Sequence, residues 1–243
     1  MWEMPTAMGS IEFDHVTLRR GSRLVFDGLT ISISQRRVGL LGNNGAGKSS
    51  LLRLINGLLL PDEGEVRVDG LVTAKARREL PAKVGFVFQN AEHQIVFPTV
   101  LEEIAFGFRE QGSSRHDANE QALEVLQRFD CADWAEAVVH ELSEGQKQRL
   151  CIMSVVAMQP DTLVMDEPFA SLDLPTRLDL MDVIEKLPQR LIVASHDLDL
   201  LTAMDRVLWL QNGAIVGDGA PKSVIEAYKS AIAASRKQTV EVP

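Results

Sequence analysis

The sequence predicts an α/β fold: a mostly parallel sheet, antiparallel strands ahead of it, and a helical subdomain inserted into it. Three observations predict this. Four short apolar runs, at 38–41, 84–88, 162–165 and 191–194, have the length of buried strands and alternate with helical patterns. The first run stops at Gly42-Asn43-Asn44-Gly45-Ala46-Gly47-Lys48-Ser49, which fits G-x-x-x-x-G-K-[ST]. Finally, residues 11–33 read as β-rich runs broken by turns, whereas 98–158 read mainly as helix.

Taken in order, 11–18, 24–26 and 29–33 are rich in Ile, Val, Phe and Leu and are punctuated by Gly21 and Asp27-Gly28. An antiparallel flap follows from that pattern. After the loop, Leu51, Leu52, Leu54 and Ile55 recur with helical spacing. Pro61-Asp62-Glu63-Gly64 is a turn before a strand at 65–68, and Asp69-Gly70 is another turn. The charged run 75–79 reads as a solvated face. Beyond Pro98, Thr99-Val100-Leu101-Glu102 is a capping box that opens a helix, and Asp117-Ala118-Asn119-Glu120 is a weaker version, with Ala122, Leu126 and Phe129 on one face. A helix over about 176–187, a hairpin turning at Asn212-Gly213, a helix from about Pro221 and a polar tail from Arg236 to Pro243 complete the chain. The expected organisation is one domain, with 10–90 and 159–225 as core, 91–158 as the helical subdomain and 226–243 as a tail.

The loop pattern carries specific chemistry. Its glycines let successive N–H groups converge, and the helix that follows adds a favourable dipole for an anion. Lys48 can reach the β/γ-phosphates of a nucleoside triphosphate, and the Ser49 hydroxyl can hold Mg2+. The formal net charge of −9, without a long basic block, argues against nucleic acid or anionic lipid as the main partner. Cys131 and Cys151 make neither a disulfide framework nor a metal spacing, and fit reduced thiols. No apolar stretch has the length to cross a bilayer, and residues 1–10 lack the pattern of a signal peptide. A cytoplasmic protein, able to dock on a membrane protein, is the expectation.

The other three strand candidates end in polar residues: Gln89, Asp166-Glu167 and His196. In an open parallel sheet, ligands bind at the carboxyl ends of the strands, so all three fall at the edge that carries the loop. Each alone has a plainer reading as a solvated strand end or turn. Together they match phosphoryl transfer to water: Asp166 for the Mg2+ shell, Glu167 for the attacking water, His196 for the γ-phosphate, and Gln89 for metal and water. Leu142-Ser143-Glu144-Gly145-Gln146 adds an S-x-x-Q capping box ahead of an apolar helix. It reads as a well-capped helix or as a second phosphate-binding helix end. In the second case a head-to-tail pair of chains lets each signature close the other's nucleotide.

These motifs, in this order, resemble the ATP-binding cassette (ABC) ATPases over about residues 10–225. The resemblance identifies a Walker A at 42–49, a Gln loop at Gln89, a signature at 142–146, a Walker B at 163–167, a D-loop at Ser171-Leu172-Asp173 and a switch histidine at His196. It implies ATP and Mg2+ as cofactors. Nucleotide contacts would come from Gly42, Asn43, Asn44, Gly45, Ala46, Gly47, Lys48, Ser49, Ser50, Ser143, Gly145, Gln146 and Asp173, and metal contacts from Ser49, Gln89 and Asp166. Residues 89–100 are similar to the segment after the Gln loop in ATPases of energy-coupling-factor (ECF) importers of vitamins or transition-metal ions. The short C-terminal region and Gly-Asn-Asn-Gly resemble the biotin-importer branch. The resemblance further implies a homodimer or close heterodimer, peripheral on the inner face of the cell membrane, with 91–98 contacting a transmembrane coupling subunit.

Within that segment Ile95, Val96 and Phe97 either dock the partner or fill the helical core. Two positions depart from the family pattern. Arg20 stands near the place of the adenine-stacking aromatic; a guanidinium plane also stacks on a purine, which leaves ATP and GTP both open. Glu144 replaces the usual glycine; the family's geometry leaves it facing outward and dispensable. A non-transport ABC ATPase of repair, translation or cofactor assembly is the alternative, and a phosphate-loop kinase or GTPase would lack the signature and D-loop.

Overall fold

Turn chemistry and apolar runs set the order of elements in the computed structural model, which describes residues 9–170 and 172–240. The chain begins with β1 (Ile11–Arg20), β2 (Arg23–Ile33), β3 (Arg37–Leu41), α1 (Lys48–Ile55), β4 (Glu63–Val68) and β5 (Leu71–Val72). It continues through α2 (Leu80–Lys83), β6 (Val84–Val87), α3 (Val100–Glu110), α4 (Arg115–Arg128), α5 (Glu144–Ala157), β7 (Thr162–Asp166) and α6 (Leu174–Glu185). It closes with β8 (Arg190–Ala194), α7 (Leu198–Thr202), β9 (Arg206–Gln211), β10 (Ala214–Gly219) and α8 (Pro221–Val240). The expectation for the first eight residues, and that for Ser171, lie outside the described residues.

The described residues form two compact units, 9–77 with 190–240, and 78–189. In the first unit β2, β1, β4 and β5 make an antiparallel sheet in that order, as the flap reading anticipates. Asp27-Gly28, however, does not separate two strands. It is an irregularity inside one long β2, where Gly28 takes φ 64° and its N–H donates to the Thr17 hydroxyl at 3.2 Å. The bulge absorbs the extra residues while pairing resumes on both sides. β3 lies between β8 and β9 and parallel to both, with Val38 opposite Ile192 and Arg206. Val38, Leu40 and Leu41 are wholly buried, the reason the run is apolar without alternation. Asn212 and Gly213, at φ 49° and 79°, turn β9 tightly back into β10.

In the second unit β6 and β7 pair in parallel, Val84 with Thr162 and Val87 with Met165. Around α3, α4 and α5 a separate apolar core forms from Val100, Ile104, Phe108, Ala118, Ala122, Leu126, Leu150 and Met153. Thr99 caps α3 as expected, its hydroxyl accepting from the Glu102 amide. The start of α4 needs correction. Ser114 is the cap, and Asp117 is the third helical residue: the Ser114 hydroxyl accepts from the Asp117 amide at 3.2 Å and donates to its carboxylate at 2.8 Å. Asp173 likewise caps α6, which starts at Leu174, two residues before the expected Thr176, with Pro175 in the first turn. α8 runs through Val240, so residues 236–240 are helical backbone where a tail was expected; no Gly or Pro interrupts 222–240.

Ser114→Ala is expected to lower the unfolding free energy by about 1 kcal/mol. Urea unfolding should show an earlier midpoint with an unchanged slope.

Candidate functional site

In the unit formed by 9–77 and 190–240, the chain leaves β3 at Leu41 and re-enters regular structure only at Lys48. Backbone crowding dictates the glycines between. A Cβ on Gly42, which holds φ 154°, would lie 2.2 Å from the Leu210 carbonyl oxygen, and one on Gly47, at φ 112°, would lie 2.9 Å from the Phe26 ring. Gly47 is also the N-cap of α1, and no side chain caps that helix. Its first amides therefore face outward as donors for an anion.

Side chains from four directions meet this loop. Lys48, almost fully buried, donates to the Gly42 carbonyl at 2.7 Å, and its ammonium lies 3.1 Å from His196 Nε2. His196 follows β8, whose Ala194 is level with Leu40, and its Nε2 also lies 3.0 Å from Asn44 Oδ1. One ring nitrogen cannot accept from lysine and donate to a carbonyl together, so tautomer and amide orientation select between these contacts. Tyr228 from α8 donates to Asn43 Oδ1 at 3.1 Å, with its ring edge-on to Trp209. Arg23 donates to the Gly45 carbonyl at 2.5 Å.

Gly42, Asn43, Asn44, Gly45, Lys48 and His196 are thus brought together within one unit. Arg20 lies opposite Arg23 across the tight β1–β2 turn, and it is Arg23 whose guanidinium reaches the loop. The sequence reading missed both Arg23 and Tyr228. A signal existed for Arg23, since residues directly opposite in a hairpin share a face. Nothing local marks Tyr228, which is 185 residues from Asn43.

Ala46, Gly47, Ser49 and Ser50 belong to the same loop and first turn of α1, whereas the unit 78–189 holds Gln89, Ser143, Gly145, Gln146, Asp166, Glu167 and Asp173. Parallel pairing of β6 and β7 puts Gln89 and Asp166-Glu167 beyond the same ends of two neighbouring strands. Asp166 is buried and Gln89 exposed. Glu167 adopts φ 49°, a left-handed conformation that costs a non-glycine residue about 1–2 kcal/mol and concentrates at functional positions. Ser143 and Gln146 form the reciprocal box: the Ser143 hydroxyl accepts from the Gln146 amide at 3.3 Å, and the Gln146 side chain accepts from the Ser143 amide at 2.8 Å. The hydroxyl keeps its own proton to donate. Asp173 accepts from the Thr176 amide at 3.1 Å, and hydrogen bonds from the Thr176 side chain and amide hold its carboxyl below the usual range. In this unit Asp166 and Gln89 offer oxygen donors of the kind that suit Mg2+, and in the other the Ser49 hydroxyl is one too. No cluster of three or more His, Cys, Asp or Glu that could hold a metal ion occurs among the described residues.

A family model for ABC transporter proteins matches residues 26–170, a stretch holding the loop, Gln89, the Ser143 box and Asp166-Glu167. The chain belongs to the ABC transporter family. It is 46% identical over 227 residues to the biotin transport ATP-binding protein BioM of Rhodobacter capsulatus, covering 93% of this chain and 97% of that one. It is 35% identical over 198 residues to the energy-coupling factor transporter ATP-binding protein EcfA1 of Bacillus licheniformis, covering 79% and 70%. Among solved structures, cbiO1 from Clostridium perfringens, part of the ABC transporter complex cbiONQ, superposes with a TM-score of 0.79 at 27% identity over 96% and 95% of the two chains. The resemblance to ECF-type ABC ATPases, and the α/β fold expected from it, are borne out.

Glu144 stands where the family pattern usually has glycine, and Gly145 follows it. A Cβ there would lie 2.0 Å from Thr176 Cγ2, so the first turns of α5 and α6 touch at this point. Gly145→Ala is expected to overpack that contact, costing about 1–3 kcal/mol and lowering ATPase activity. Thr176→Ser removes the offending methyl and keeps the hydroxyl. Adding it to Gly145→Ala should restore most of the lost melting temperature and activity.

Proposed function

We propose that this chain is the ATP-binding and ATP-hydrolysing subunit that energises a membrane importer, with biotin as the first vitamin to test, and that it works as a head-to-tail dimer with two composite ATP sites. The observation that carries the reading is a pair of phosphate-ready helix ends in one chain. α1 follows the glycine loop with no side-chain cap, and α5 opens on Ser143 and a glycine-lined first turn. The name of the 46% identical relative adds the transport role and the vitamin.

In this reading Gly42 to Gly47 and Lys48 hold the β- and γ-phosphates, with Ser50 behind them. Ser49, Asp166 and Gln89 are the residues that would hold Mg2+, which would neutralise phosphate charge. The Arg20–Arg23 turn offers a guanidinium plane to the purine. Glu167 takes a proton from water as the water oxygen bonds the γ-phosphorus, and the β–γ bridging oxygen leaves with ADP. His196 steadies the γ-phosphate oxygens. Ser143, the Gly145 amide, Gln146 and Asp173 of one copy close over the nucleotide held by the other.

Residues 91–98 dock the membrane partner. A groove of about 360 Å3 is lined by Glu92, Ile95, Phe97, Pro98, Val139 and Lys147. The three apolar candidates divide. Ile95 packs on the helical core, and Phe97 lies 5.1 Å from the Phe106 ring with Arg109 over it. Val96 is 75% exposed and has no such packing role. Among the described residues no helix is long and apolar enough to cross a membrane.

Glu167→Gln should bind Mg-ATP and lose roughly 10²–10⁴-fold in hydrolysis. Gel filtration with Mg-ATP should then show a dimer; a variant with more than half the parent rate would overturn the role. Val96→Ser should leave the melting temperature unchanged and reduce co-purification with membrane subunits from native membranes, whereas Phe97→Ala should lower the melting temperature. Co-purification with soluble repair or translation factors instead would favour a non-transport ABC ATPase.

A further inference from the structure

Glu144, the residue that replaces the family's usual glycine, is 59% exposed in its side chain, and its carboxylate turns back to Lys147 at 3.0 Å. The Lys147 ammonium also reaches Glu92 at 3.0 Å, while the lysine side chain is only 11% exposed. The hydrogen bonds it donates, to Glu144 first and then to Glu92, raise its proton affinity and keep it charged. One bond lies within α5; the other spans 55 residues, to the short 3-10 turn Ala91–His93.

The same face of α5 carries further links to that stretch. Gln148 Nε2 donates to the Phe88 carbonyl, and Gln94 Nε2 donates to the Cys151 carbonyl, both at 3.2 Å. The segment itself has little slack. Asn90 accepts from the Glu92 amide at 2.9 Å, Gln94 Oε1 accepts from the Phe88 amide at 3.0 Å, and Glu103 accepts from both the Val96 and Phe97 amides at 2.9 Å. Of the links from α5, Lys147 lies nearest Ser143 and Gly145. It is also the one made by a long side chain to a long side chain, so it can follow a tilt of the helix end that fixed carbonyl contacts resist.

We infer that Lys147 is a positioning residue: through Glu144 and Glu92 it ties the phosphate-facing end of α5 to the docking segment 91–98, so that closure on nucleotide is delivered to the membrane partner's groove. This rests on the roles proposed above for Ser143 and for 91–98. Lys147 lines the groove beside Glu92 with only 11% of its side chain exposed, and it acts through Glu92.

The test uses the full chain in the Glu167→Gln background, with Mg-ATP as probe. Gel filtration reports closure, and hydrogen–deuterium exchange of the 91–97 amides reports the docking segment. Mg-ATP is expected to slow that exchange several-fold. Adding Lys147→Met, which keeps most of the stem and removes the charge, should abolish this response while the dimer still forms and the melting temperature holds; Lys147→Arg should restore it. If Glu167→Gln alone fails to dimerise, the composite-site reading falls and the inference with it. If the dimer forms and 91–97 responds equally with Lys147→Met, or if Lys147→Met abolishes dimerisation itself, the inference alone is overturned. Should Lys147→Met fail to fold, Glu92→Ala removes the acceptor from its exposed side and is judged by the same outcomes.

Discussion

The close approach of the loop backbone to its surroundings is the constraint on which the rest depends. At Gly42 the chain passes so near the Leu210 carbonyl that no side chain fits, and at Gly47 the Phe26 ring fills the same role. With those two contacts fixed, the loop folds on itself, the Ala46 amide donating to the Asn43 carbonyl at 3.1 Å, and α1 begins at Lys48 with no side-chain cap. The position of β3 between β8 and β9 follows from the same requirement. β9 supplies the Leu210 carbonyl, and β8 brings His196 level with the loop's entry. Arg23 and Tyr228 then hold the loop at Gly45 and Asn43, from a hairpin and from the last helix.

α5 has two regimes along one helix. Its later turns are enclosed, with Leu150, Cys151, Ile152 and Met153 all wholly buried. Burial pushes the Cys151 thiol up to about 12, in keeping with a packing role inside the helix's enclosed turns. Its first turns are polar and specific, with a reciprocal cap, a glycine pressed on Thr176 and a lysine held by two carboxylates. A rigid apolar shaft with a chemically active end suits a lever, since packing fixes the shaft and the end is free to respond.

Glu144 shows how a departure from a family pattern acquires a physical role. A carboxylate in the first turn already favours the helix through its dipole. Here it also shares Lys147 with Glu92, so the exposure expected of it is met without its being idle. The helix end is steadied from both within and outside α5.

The sequence determined by itself whatever rests on contacts within a few residues. The glycine loop, the Ser143–Gln146 box, the Asn212-Gly213 turn and the apolar strands are local devices, and each forms where its residues stand. Even locally, competition between neighbours misled: Asp117 looks like a cap, but Ser114 three residues earlier supplies the better one, and Asp27-Gly28 bends a strand that pairing on both sides keeps whole. Only the tertiary structure decided which of Ile95, Val96 and Phe97 is presented outward, that Arg23 rather than its neighbour across the turn grips the loop, that Tyr228 reaches Asn43, and that Lys147 joins Glu144 to Glu92. Apart from the local Lys147–Glu144 bond, these contacts span tens to nearly two hundred residues or depend on packing against other elements. No spacing or periodicity encodes them, because chain folding brings the partners together and side-chain reach then selects among them.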